Sequence, residues 1–159
     1  MNDPRKTESE FYIKKRALRQ LFDKDTPLNV DLYRGQKPDE RGSPVLHPIL
    51  KAYLLSNGKE RPADITLYQK DGVPWVDSTS GGVSLFDIIG NPSASWDYYK
   101  INAGSAIPLG LVITKDKTLK SKSNEPAPTH YSIRPHWDMP IKQFLMLLDD
   151  LVASFKRVK

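Results

Sequence analysis

Asp77-Ser78-Thr79-Ser80-Gly81-Gly82-Val83-Ser84-Leu85-Phe86-Asp87 is the stretch on which the fold of this chain turns. Hydroxyl side chains flank a glycine pair, and the segment runs directly into the apolar Leu85-Phe86 and Ile88-Ile89. Paired glycines permit backbone conformations and close approaches that a Cβ forbids. Hydroxyls beside such a backbone can floor a cleft for a small polar ligand. The same composition is also ordinary turn chemistry between two strands. Taken alone, the stretch favours the turn.

The rest of the chain supplies context. Its 159 residues are enough for one domain with a real core. Apolar residues make up only 38% and there are 13 prolines, so extensive irregular structure is expected. The absence of cysteine removes disulfides, thiolate metal sites and a cysteine nucleophile from consideration. Met1-Asn2-Asp3-Pro4-Arg5-Lys6 leads into a charged segment and shows no signal peptide, and no apolar run is long enough to cross a bilayer. A soluble cytoplasmic protein without membrane association is expected. A net charge of +5 favours an anionic partner, although a solvated basic face has the same composition.

Outward from the glycine pair, hydropathy patterns set out the elements. Asp3-Pro4 caps an amphipathic helix over residues 4–22, with Phe11, Leu18, Leu21 and Phe22 on one face. Residues 29–34 alternate as a strand closed by Gly35, and a short helix is expected over residues 48–56. Residues 64–68 and 73–76 are strands joined by the hairpin signal Asp71-Gly72. Further strands are expected at 83–89, 98–101, 109–114 and 129–133, with a lysine- and proline-rich loop over 115–128. A final helix begins near Asp138-Met139-Pro140 and carries its apolar face through Phe155. The sum is one α+β domain over residues 1–159, a mainly antiparallel sheet with a helix at each end of the chain.

Several residues are candidates for chemistry. Arg34 ends the first strand, where its guanidinium can fork onto phosphate or ribose oxygens, although a plain surface arginine is the commoner reading of such a position. Alternation over Thr129-His130-Tyr131-Ser132-Ile133 puts His130 and Ser132 on one face and Thr129, Tyr131 and Ile133 on the other. His130 there is either a structural or a catalytic histidine. Three histidines and no cysteine argue against a zinc site, so no metal is expected. A two-histidine ribonuclease stays open. Glu125 is the only glutamate after Glu60 and sits in a polar loop, with Asp138 and Asp87 as substitute carboxylates. Trp75, Trp96, Tyr98, Tyr99 and Trp137 can serve as a stacking wall or as core. No GxGxxG or Walker phosphate loop occurs.

The ordered set Leu32-Tyr33-Arg34, Leu46-His47-Pro48, Pro62-Ala63-Asp64-Ile65, Asp71-Gly72, Gly81-Gly82-Val83-Ser84-Leu85-Phe86-Asp87, Ile107-Pro108 and Thr129-His130-Tyr131-Ser132-Ile133 leading to Met139-Pro140 resembles a known family. It is similar to the exported effector-two toxins of type VI secretion systems, from about residue 29 to the C-terminus. The resemblance implies an ADP-ribosyltransferase-like, split, mainly antiparallel sheet that holds NAD in a cleft between its halves. It implies an NAD-dependent toxin that transfers ADP-ribose to a cellular macromolecule, protein or nucleic acid, or hydrolyses NAD. Other expectations from it are a cognate immunity protein or antitoxin over the cleft and delivery into a target cell's cytoplasm without a signal peptide. By this resemblance Arg34, Ser84 and His130 are catalytic, and Arg34, Tyr33, Thr79, Ser80, Gly82, Ser84 and Tyr131 bind NAD. The family commonly has threonine where this chain has Val83, and Thr79 or Ser80 is expected to compensate. No glutamate aligns clearly with that of the classical arginine–serine–glutamate transferases, which leaves the catalytic acid open. Transfer from NAD passes through a cationic, oxocarbenium-like ribose, so the site must hold NAD in a strained shape beside a carboxylate. A basic nucleic-acid-binding or ribonuclease-type toxin is the alternative.

Overall fold

Alternating polar and apolar residues make strand the main regular structure among the described residues, and every strand pairing there is antiparallel. The computed structural model describes residues 20–91, 93–120 and 126–159. In chain order these form β1 (Leu21–Phe22), β2 (Leu32–Gln36), β3 (Tyr53–Leu54), β4 (Glu60–Arg61), β5 (Ile65–Lys70), β6 (Val73–Gly81), β7 (Val83–Phe86), β8 (Asp97–Ile101), β9 (Leu111–Thr118), β10 (Thr129–Pro135), β11 (Met139–Pro140), α1 (Ile141–Val152) and β12 (Phe155–Arg157). A seven-stranded sheet has the order β1-β9-β10-β7-β2-β8-β12, and a three-stranded sheet the order β11-β6-β5. The small hairpin β3-β4 stands apart from both.

The glycine pair is the crossing point between the two larger sheets. Gly81 is the last residue of β6 in the three-stranded sheet, and Val83 opens β7 in the seven-stranded one. Gly81 has φ +76° and a Cβ there would lie 2.0 Å from the Asp64 carbonyl oxygen. A Cβ on Gly82, at φ +155°, would lie 2.9 Å from the Ile133 carbonyl oxygen. Both positions therefore need glycine for conformation and for space. The Gly82 amide donates to the Asp64 carbonyl at 2.7 Å, which fixes residues 62–64 against the crossing.

Asp71-Gly72 closes the β5-β6 hairpin as expected, both residues having positive φ (53° and 76°) as a primed turn requires. The core takes Leu32 from β2, Val83 and Leu85 from β7, Ile113 from β9 and Ile133 from β10. Helix α1 lays Phe144, Leu148 and Leu151 on it at helical spacing. Each such fully buried side chain stabilises the fold by about 1.5–3 kcal/mol.

Four expectations are corrected. Residues 4–19 of the expected N-terminal helix lie outside the described residues, but Leu21–Phe22 is strand, paired with Ile113 and Thr114 of β9. No helix forms over residues 48–56. Tyr53–Leu54 pairs with Glu60–Arg61 across Asn57-Gly58, and Leu50, Tyr53, Leu54 and Leu55 are all exposed, so no face exists for a helix to bury. The loop expected from residue 115 begins later, because β9 continues through Thr118 against Thr129. The final helix stops at Val152. Phe155 satisfies a helical period, yet it is buried from an edge strand paired with Ile101 of β8.

Candidate active site

Ser84 sits on β7 directly opposite Ser132 of β10, and His130 opposite Phe86. The period of two then puts Ser84, His130 and Ser132 on one face of the seven-stranded sheet, while Val83, Leu85, Tyr131 and Ile133 enter the core on the other. The first face is open. A cleft of about 450 Å³ lies between it and residues 61–64, lined by Gly82, Ser84, His130, Asp116 and Lys117 on the sheet side and by Arg61 and Asp64 opposite.

Within the cleft a chain of hydrogen bonds joins three side chains. His130 Nε2 lies 2.9 Å from Ser84 Oγ, and His130 Nδ1 lies 2.9 Å from Asp116 Oδ2. The same carboxylate accepts from Ser132 Oγ at 2.5 Å and from Thr114 Oγ1 at 2.9 Å, and Arg134 Nη2 approaches it at 3.5 Å. Burial on its own would raise the pKa of Asp116. Hydrogen bonds from His130 and Ser132, the Arg134 charge and the Thr114 hydroxyl outweigh it and hold the carboxyl well below the ordinary range. Asp116 is therefore an anion at neutral pH. The Phe86 ring and the imidazole make a T-shaped contact, with centroids 5.2 Å apart.

Asp116 owes its direction to a β-bulge. On β10 the neighbours His130 and Tyr131 pair with Lys117 and Lys115, which leaves Asp116 as the extra residue of β9. Such a bulge re-aims a side chain. Two consecutive residues, Asp116 and Lys117, thereby reach the same cleft. Arg134 ties this cluster to the glycine pair, donating through Nε to Thr114 Oγ1 at 3.1 Å and through Nη1 to the Gly81 carbonyl.

The candidates from the sequence separate clearly. Ser84, His130 and Gly82 line the cleft. Arg34 does not line it but holds it from behind, donating through Nε to the Val45 carbonyl and through Nη1 to the Ser84 carbonyl, both at 2.9 Å. Burial lowers its pKa, with Asp64 opposing and Arg61 reinforcing that effect. Tyr33, its neighbour on β2, is half-buried between Phe86 of β7 and Lys100 of β8. The Thr79 hydroxyl donates to Asp77 at 2.6 Å, and that of Ser80 to Thr66 at 3.0 Å, so both are engaged along β6 away from the cleft lining. Tyr131 is a core residue.

Val83 is also core, fully buried opposite Ile133, so its side chain points away from Ser84 and no paired hydroxyl is missing from the cleft. Among the substitute carboxylates, Asp138 accepts from the Ser78 amide and the Tyr68 hydroxyl, and Asp87 from the Thr129 amide. Neither lines the cleft. Glu125 lies outside the described residues. Sequence reasoning missed Asp116, the buried carboxylate of the site. Its available signal was the extension of the 109–114 strand by Thr114, Asp116 and Thr118 at alternate positions.

A family model described as Tse2 ADP-ribosyltransferase toxin matches residues 10–159. No curated protein matches the chain.

Proposed function

Because the chain belongs to the Tse2 ADP-ribosyltransferase toxin family, we propose that the cleft over Ser84 and His130 is where it takes up NAD and transfers ADP-ribose. Membership makes the protein an NAD-dependent ADP-ribosylating toxin. The observation that carries the assignment of the site is the Ser84–His130–Asp116 chain of hydrogen bonds in an open cleft that also carries Arg61 and Lys117.

The donor set fits the substrate. Lys117 is exposed at the cleft, and Arg61 borders it opposite. These two cations suit the diphosphate of NAD. Ser84 holds the nicotinamide ribose, and its Oγ sits on the cleft floor because Arg34 fixes the carbonyl of the same residue. Arg34 thus contributes by positioning β7. Gly82 lets substrate lie against bare backbone. Tyr33, Thr79, Ser80 and Tyr131 support the walls of the site and do not touch the substrate.

The toxin acts in the cytoplasm of a target cell after type VI delivery, and a cognate immunity protein neutralises it by covering this cleft. Transfer to water in place of a macromolecule would make the same site an NAD glycohydrolase.

Incubation with NAD labelled in the adenylate, alone and with cell lysate, tests the site. The wild-type protein should release nicotinamide, while Ser84→Ala and His130→Ala, each checked for a native thermal transition, should lose at least a hundredfold in rate. Wild-type turnover by the folded variants would remove the cleft as the site. Labelled macromolecule marks transfer, and free ADP-ribose alone marks hydrolysis.

A further inference from the structure

The hydrogen bonds of His130 define which acceptor this cleft can serve. Asp116 is ionised and can only accept, so the proton between it and His130 belongs to Nδ1. That tautomer leaves a lone pair on Nε2, which accepts from the Ser84 hydroxyl at 2.9 Å. A hydroxyl therefore sits where Nε2 takes a proton, and an acceptor hydroxyl takes that place when Ser84 Oγ turns to the ribose. Among the described residues the carboxylates of the cleft, Asp116 and Asp64, also hold donors. The Asp116 oxygens meet His130, Ser132, Thr114 and Arg134. Those of Asp64 accept from the Ile49 amide at 2.7 Å and from Arg61 at 3.0 Å.

We infer that the acceptor in ADP-ribose transfer is a neutral hydroxyl, deprotonated by Nε2 of His130, with Asp116 as the positioning residue that fixes the imidazole. This rests on the assignment of the cleft made above. As the acceptor oxygen bonds to C1 of the nicotinamide ribose, the C1–N bond breaks and its electron pair leaves with neutral nicotinamide. The acceptor proton passes to Nε2. A guanidinium or ammonium acceptor fits this site less well, because among the described residues the two carboxylates of the cleft already hold donors, Asp116 four of them and Asp64 the Ile49 amide and Arg61.

The charged groups around the imidazole are Asp116 and Lys117 from β9, Arg134 beyond Asp116, Asp87 at the end of β7, and Arg61 and Asp64 across the cleft. Asp116 alone among them bonds the ring. In Asp116→Asn the amide can donate to Nδ1, which moves the ring proton to Nε2 and removes the base.

The experiment incubates the full chain with NAD and either methanol or agmatine, a small guanidinium, and separates the products by chromatography. The wild-type protein should yield methyl ADP-ribose and no agmatine adduct. Asp116→Asn should lower kcat for methanolysis about a hundredfold with little change in KM for NAD. Nitrogen NMR of His130 should show Nδ1 protonated in the wild type and Nε2 protonated in the variant, a change that a purely structural carboxylate would not produce. Should Asp116→Asn fail to fold, His130→Ala carries the test, and added imidazole should restore its methanolysis. Agmatine modified as readily as methanol overturns the inference, as does a wild-type ring protonated at Nε2 or a folded Asp116→Asn with full kcat. Absence of NAD consumption in every arm overturns the assignment of the cleft itself, which is a distinguishable failure.

Discussion

Replacing Gly81 by alanine separates conformational strain from steric exclusion, because Gly72 provides an internal control. Both glycines have φ +76°, but nothing lies within 4 Å of a Cβ on Gly72, whereas a Cβ on Gly81 falls 2.0 Å from the Asp64 carbonyl oxygen. Gly72→Ala should incur only the left-handed backbone penalty, roughly 1–2 kcal/mol. Gly81→Ala incurs that penalty and must also push the backbone of residues 64–65 away. A hydrogen bond from the Gly82 amide to Asp64 spans this contact, and a shift of Gly81 itself would also break the bond from Arg134 to the Gly81 carbonyl. The first is worth about 1 kcal/mol and the charge-assisted second about 1.5–3 kcal/mol. The expected loss is therefore roughly 3–6 kcal/mol, a large part of the roughly 5–15 kcal/mol available to a domain. At about 2–4 °C per kcal/mol for a chain of this size, thermal unfolding should fall by at least about 6 °C in Gly81→Ala and by several degrees less in Gly72→Ala. Circular dichroism melts of the two variants and the wild type decide the matter. Equal melting temperatures for the two variants would refute the claim that the crossing is sterically closed.

Arg34→Lys keeps the charge but can serve only one of the Val45 and Ser84 carbonyls. It should destabilise the fold by about 1.5–3 kcal/mol and slow NAD turnover, measured by urea denaturation and nicotinamide release. Unchanged stability and rate would show that Arg34 does not clamp β7. The folded-state pKa of Asp116 is depressed, so its contribution to stability is fully present above its unfolded value of about 3.9 and is lost as pH falls towards the folded value. Asp116→Asn should thus cost about 3–5 kcal/mol at pH 7 by removing the buried charge that holds His130, Ser132, Thr114 and Arg134. It should also flatten the loss of stability below about pH 4, and parallel wild-type and variant curves across that acid window would contradict this. Val83→Thr, which restores the family's common residue, should destabilise the fold by about 1–3 kcal/mol without raising NAD turnover, because the hydroxyl enters the core. A gain in turnover would show that the side chain reaches the cleft.

Part of the cleft was legible, Ser84 and His130 above all, because sheet alternation is a local property. The polar face of Thr129-His130-Tyr131-Ser132-Ile133 was readable from the period of two, and so was the turn at Asp71-Gly72. Gly81 and Gly82 are visibly special in sequence, but their crossing between sheets depends on Asp64 and Ile133, which no local pattern places beside them. Phe155 fits a helix and an edge strand equally, and only its pairing with Ile101 decides. Asp116 was hidden for a different reason. It stands in Lys115-Asp116-Lys117, a charge run that composition assigns to solvent, and apart from Thr114 the partners described for it come from β10, 14 to 18 positions later. Thr79 and Ser80 show the converse. Their hydroxyls advertise a binding site, yet neighbouring polar groups on β5 and β6 consume them.

The extra residue in β9 ties the electrostatics of the cleft to counting along the chain. In an unbroken strand, neighbours face opposite ways, so an acid followed by a base delivers one charge to each side of the sheet. With the bulge, Asp116 and Lys117 arrive on the same side, the anion beneath the imidazole and the cation at the rim. A β9 shortened by that single residue would retain either the anchor for His130 or the cation for substrate, but not both. The pair of opposite charges is thus inherited as a register, and substitutions that preserve both residues but erase the bulge would still dismantle the site.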